Sequence, residues 1–68
     1  MFKIQFRNAQ GRMVTARLVS RDETKQLADK ARRDVPDASV NQLRIHEVAV
    51  DEITGDFIWA DCTADFTR

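Results

Sequence analysis

The sequence predicts an α+β domain, a four-stranded antiparallel sheet in the order β-β-α-β-β with one helix packed on one face. Three observations predict it. Two alternating apolar–polar runs flank a glycine-containing turn near the amino terminus. A serine-capped amphipathic stretch follows and ends at the only proline. Two further β-rich runs then flank a second glycine-containing turn. With 68 residues, positions 1–68 form a single domain near the lower size limit for folding without staples.

Each element has its own local reason. Phe2, Ile4 and Phe6 alternate with Lys3, Gln5 and Arg7, the pattern of a half-buried strand. Asn8-Ala9-Gln10-Gly11 reads as a turn, with Gly11 free to take positive φ. Val14, Ala16 and Leu18 alternate with Thr15 and Arg17, so the two runs pair as a hairpin. Ser20-Arg21-Asp22-Glu23 fits a capping box, and Asp22 and Glu23 suit the positive end of the helix dipole. Thr24, Leu27, Ala28, Ala31 and Val35 share one helical stripe, with Lys25, Asp29, Arg32 and Arg33 opposite. Lys30, Arg32 and Arg33 sit near the negative end, and Pro36 disfavours helical geometry at Val35. Leu43 and Ile45 begin a third strand, but Val48 and Val50 have the opposite parity, which predicts a bulge near His46-Glu47. Glu52 to Asp56 reads as a turn and Phe57 to Ala64 as the fourth strand.

Composition narrows the function classes. So small a core leaves little interior for an enclosed pocket of roughly 300 Å³ or more, which places function on an outer face, a loop or an oligomer interface. Cys62 is the only cysteine, so no internal disulfide forms; small secreted domains usually need several. Met1 to Val19 lacks the apolar run of a signal peptide, and no segment approaches the roughly 20 apolar residues of a membrane span. The expected setting is a reduced cytoplasm, with no membrane contact. Eleven bases balance 11 acids, but unevenly along the chain. Residues 1–33 carry nine bases and three acids, and residues 34–68 carry two bases and eight acids. Either the folded surface is polarised, or folding interleaves the halves and neutralises them locally.

Two surfaces emerge as candidates. A sheet covered by one helix leaves a second face, which should carry Lys3, Gln5, Arg7, Thr15, Arg17, Arg44 and His46 and so be basic. If Ile58, Ala60, Cys62 and Ala64 pack on the helix, Trp59 joins that face, giving the composition of a binding hot spot or a stacking platform for nucleic acid. Burial trends favour the other placement, with Trp59 filling the core. The second surface is the helix face with Arg21, Lys25, Lys30, Arg32 and Arg33, able to follow phosphates or meet an acidic protein. Its plainer reading is a solvated face in which Asp29 pairs with Arg32 and Arg33.

Catalytic and metal signatures are weak, and no enzyme, cofactor or metal site is expected. His46 and Cys62 are each alone in a predicted strand, with no signature joining them as a thiol dyad. Asp51, Glu52 and Asp56 lack the spacing of a calcium loop, one His and one Cys cannot complete a structural zinc site, and Gly11 and Gly55 are the only glycines.

Three strings carry a family resemblance. Gly11 to Leu18 leading into Ser20, Lys25-Gln26-Leu27-Ala28-Asp29-Lys30, and Phe57-Ile58-Trp59-Ala60-Asp61-Cys62 together resemble the small type I anti-CRISPR proteins. These are short sheet-plus-helix inhibitors that dock along the backbone subunits of the Cascade (Csy-type) surveillance complex. The resemblance spans most of residues 11–62 and implies a phage protein acting in the bacterial host cytosol. It also implies that helix and sheet-edge bases occlude target DNA sterically and electrostatically. Lys25 and Lys30 stand at matching basic positions, Gln26 replaces a base, and Arg32 and Arg33 are additional. The candidate partner-binding set is therefore Arg17, Arg21, Lys25, Lys30, Arg32, Arg33, Arg44 and Trp59. The alternatives are a small nucleic-acid-binding module using the basic sheet face and a dimeric accessory protein. The chain is expected to be a monomer or a homodimer.

Overall fold

A computed structural model describes residues 1–67. Strands β1 (Phe2–Arg7) and β2 (Met13–Leu18) pair antiparallel, from Phe2 opposite Leu18 to Arg7 opposite Met13. Asn8 makes the turn: its Oδ1 accepts the N–H groups of Gln10 and Arg12, and Gly11 takes φ +78°. Helix α1 (Arg21–Asp34) starts where Ser20 Oγ accepts the Glu23 N–H at 3.2 Å. It ends at Val35, which is extended ahead of Pro36 (φ −136°, ψ 86°). Strands β3 (Arg44–Val50) and β4 (Phe57–Asp61) complete a four-stranded antiparallel sheet of order β2-β1-β3-β4. The expected fold class is the observed one.

Two short helices add to the expected order. Helix α2 (Ala38–Asn41) is capped by Asp37, whose carboxylate accepts from the Ser39 N–H and hydroxyl. Helix α3 (Thr63–Thr67) replaces the predicted end of the fourth strand, which stops at Asp61 rather than Ala64. The Asp61 carboxylate accepts the Thr63 N–H, and the Thr63 hydroxyl accepts the Ile45 N–H at 2.9 Å. That hydroxyl takes over from the ladder and lets the chain turn, bringing Phe66 into the core at 1% exposure.

The core lies between α1 and the first strands. Phe2, Ile4, Phe6, Ala28, Ala31, Leu43, Ile45 and Phe66 are buried together, with Phe2 and Phe66 edge-to-face at 5.7 Å. Val14, Ala16, Leu18, Leu27 and Cys62 pack around them. Buried Asn41 joins two elements: its Nδ2 donates to Val35 O and its Oδ1 accepts the Leu43 N–H.

The predicted bulge near His46-Glu47 is absent. Pairing runs without interruption from Gln5 opposite Arg44 to Phe2 opposite Glu47, and from His46 opposite Asp61 to Val50 opposite Phe57. The parity change has another cause. Helix α1 packs on β1 and β2, while β4 neighbours β3 alone among the described elements. Ile45 lies under the helical layer and turns its side chain inward. Past Glu47 no helix covers the hairpin, so Val48 and Val50 fall on the opposite face, beside Trp59 and Phe57.

Candidate functional site

Strand alternation sorts the sheet into two faces. Phe2, Ile4, Phe6 and Ile45 face α1, so Lys3, Gln5, Arg7, Thr15, Arg17, Arg44 and His46 share the open face, as expected. The register draws rows across it. Arg17, Lys3, His46 and Asp61 form one row over all four strands, and Thr15, Gln5 and Arg44 form the next. Val48 with Trp59, then Val50 with Phe57, continue toward the hairpin tip. The open face thus carries Lys3, Arg7, Arg17 and Arg44 against a single acid, Asp61, in a chain of zero net charge. The two halves of the chain are not neutralised on this face.

Trp59 is not in the core. It is 36% exposed on the open face, and the Lys3 ammonium lies 4.9 Å from its ring centroid. Its side is dictated by pairing with Val48, which is out of phase with buried Ile45. Residue-type burial trends fail here because α1 does not reach β4. Around Trp59, Met1, Val48, Phe57 and Ile58 line an open apolar depression of about 560 Å³. Phe57 is 78% exposed. A cation over an indole, with apolar neighbours on one side and arginines on the other, suits both aromatic stacking and charge recognition.

The helix candidates lie elsewhere. Lys25 and Lys30 are held by Asp29 and Asp34 in i,i+4 ion pairs of 2.7 and 2.6 Å. The expected pairing of Asp29 with Arg32 and Arg33 is not formed, because Lys25 stands one helical turn earlier and takes its carboxylate. The Lys25 hydrogen bond holds the Asp29 carboxyl below its ordinary range, with Arg32 and Arg33 adding to the field. Arg21 lies over the Phe66 ring at 4.8 Å, closing the core from the helix side. Arg32 and Arg33 remain exposed in the last turn. Of the candidate set, the fold therefore brings Arg17, Arg44 and Trp59 to the open face. It leaves Arg21, Lys25, Lys30, Arg32 and Arg33 on a helix packed against the other face.

Two residues central to the face were not among the sequence candidates for partner binding. Lys3 and Val48 were legible as strand positions, and the alternation of Val48 with Val50 and of Phe57 with Trp59 was the available signal, joined on one face by the β3–β4 register. The titratable groups are arranged as follows. Asp61 is held below the ordinary carboxylate range, first by the Thr63 backbone N–H, with His46 and Arg44 contributing. Burial, with the Glu47 carboxylate beside it, pushes the Cys62 thiol up. His46 and Cys62 stand on opposite faces of the sheet, so they do not form a pair. Among the described residues, no three His, Cys, Asp or Glu side chains converge as a metal cluster, and no helix is long and apolar enough to cross a membrane.

Comparison with protein-family models, with curated proteins and with solved structures finds no match to this chain.

Proposed function

We propose that this protein is a non-catalytic inhibitor of the anti-CRISPR type, docking on the backbone subunits of a type I CRISPR surveillance complex through the open face of its sheet. The observation that carries the reading is the Lys3–Trp59 pair flanked by Arg17 and Arg44 on one uncovered face. A basic face of this kind complements acidic side chains and guide-RNA phosphates on such an assembly. Trp59, Val48 and Phe57 supply the apolar anchor that charge alone lacks. Seated there, the body of the domain excludes target DNA by its volume, and no bond is made or broken. The ion pairs on Lys25 and Lys30 make the helix face the lesser contributor, because those charges are already answered within the chain.

The test is capture of an assembled type I complex by the purified protein, with target-DNA binding measured alongside. Capture with loss of DNA binding is the expected result. The triple variant Lys3→Glu/Arg17→Glu/Arg44→Glu should abolish it, whereas Lys25→Glu/Arg32→Glu/Arg33→Glu should weaken it little. A complex left uncaptured sinks the reading. The Trp59 platform also supports a second reading, single-strand nucleic-acid binding, in which free DNA or RNA shifts in a gel with steep salt dependence and Trp59→Ala loses affinity.

A further inference from the structure

The hydrogen-bond phase of the sheet determines which backbone groups of β4 are left without partners. The Val48 N–H bonds to Met1 O, so the even residues of β3 face β1. The Cys62 N–H bonds to Ile45 O and the Asp51 N–H to Asp56 O, so the odd residues of β3 face β4. In the antiparallel alternation, Ile58 and Ala60 therefore turn their backbone groups toward β3. Phe57, Trp59 and Asp61 turn theirs outward, along an edge that no other described element covers. Such an edge is a template for another strand, and natural edges are usually blunted by lysine, proline or a bulge. Between Phe57 and Asp61 there is none of these.

We infer that β4 pairs with β4 of a second copy of this chain, antiparallel and two-fold symmetric about Trp59. This is the register that uses all three outward residues: Trp59 opposite its own counterpart, and Phe57 opposite the second copy's Asp61. On the helix side of the sheet the same register sets Ile58, 44% exposed, against the other copy's Ala60, a large residue over a small one. No like charges meet across the seam. The other sheet edge, β2, is a poorer choice. Its outward residues by the same phase are Met13, Thr15 and Arg17, and Lys3 and Arg7 stand on the next strand, so pairing there drives two basic rows together. Zero net charge removes the global repulsion that would oppose self-association. The product is an eight-stranded sheet whose two open faces join into one, with the Trp59 pair at its centre and a basic row on each side.

The inference rests on the sheet edge and not on the docking reading above. Ile58 lies on the helix side of β4, at the rim of the depression around Trp59. Sedimentation equilibrium over a wide range of protein concentration should show a monomer–dimer equilibrium. Amide exchange should slow with concentration at Phe57, Trp59 and Asp61, but not at Ile58 or along β2. Ile58→Lys should raise the dimer dissociation constant by about tenfold or more. Phe57→Glu, which sets like charges against the second copy's Asp61, provides a second variant at a highly exposed site, should the first fold poorly. A chain monomeric throughout the range, or a dimer indifferent to both variants and protected at other amides, overturns the proposal.

Discussion

Lys3 and Trp59 meet although their strands are not neighbours. The Lys3 ammonium crosses β3 to lie 4.9 Å from the indole centroid. Lys3 is opposite His46, and Trp59 is opposite Val48, one same-face step along β3, so the contact is diagonal across the sheet. At a partly exposed site such a pair contributes about 0.5–1 kcal/mol. A double-mutant cycle of Lys3→Ala and Trp59→Ala, read by urea unfolding, should recover a coupling of that size. A coupling indistinguishable from zero would mean that the two side chains do not hold each other. Trp59 is the only tryptophan, so its fluorescence should also be readily quenched by iodide or acrylamide in the monomer.

Phe66 should be the most costly single truncation near the carboxyl terminus. It is 1% exposed, packs edge-to-face on Phe2 and lies beneath the Arg21 guanidinium. Phe→Ala at a buried site costs about 3–5 kcal/mol. A domain of this size has roughly that much stability in total, so Phe66→Ala should be substantially unfolded at 25 °C by circular dichroism. Phe57→Ala, at a position 78% exposed, should stay within about 0.5 kcal/mol of the parent chain. Equal effects at the two positions would contradict the placement of α3 against the core.

How far these features could be read beforehand follows from their range. The α1 cap at Ser20, the stop at Pro36 and the alternation of β1 are local signals, and each is observed as expected. The open face was also legible, because Lys3, Arg7, Arg17 and Arg44 follow from alternation once one helix covers the other face. The side of Trp59 was not, because it depends on where α1 ends relative to β4, which local pattern does not encode. For the same reason the parity change at Val48 resembled a bulge: a change of covered face and an inserted residue leave the same trace in sequence. Helix α3 was hidden because Cys62 to Phe66 has no strong helical pattern of its own and is held by Thr63 bonding back to Ile45, 18 residues away in sequence.

Asn41 offers a test of the join between helix and sheet. It is 3% exposed, and its side chain bonds Val35 O at 2.8 Å and the Leu43 N–H at 3.0 Å. Asn41→Leu leaves both backbone groups without partners in a buried setting, at about 1–3 kcal/mol for each such group. Asn41→Asp keeps the acceptor for Leu43 but places a carboxylate against the Val35 carbonyl, and should be no better. Ser20→Ala, which removes only an exposed cap, should cost about 1 kcal/mol. The expected order in urea midpoints is parent, then Ser20→Ala, then Asn41→Leu; a reversed order would show that the Asn41 bridge contributes little.

Acid stability should depend on three exposed carboxylates. Asp29 is held low by the Lys25 hydrogen bond, Asp37 by the Ser39 hydroxyl and N–H, and Asp61 by the Thr63 N–H. In each case the folded chain prefers the ionised form more than the unfolded chain does. The stabilisation is therefore fully present above the unfolded carboxylate range near pH 4 and is lost as pH falls through the lower folded values. Urea midpoints should be flat from neutral pH to about 5 and decline below 4. All three groups are solvent-exposed, so the decline should be shallow and reduced by salt. Asp37→Asn can no longer gain from ionisation at that position, so it should start lower at neutral pH and lose less on acidification. A variant whose midpoint falls in parallel with the parent's from pH 5 to 2.5 would remove Asp37 from the account and leave the acid response to Asp29 and Asp61.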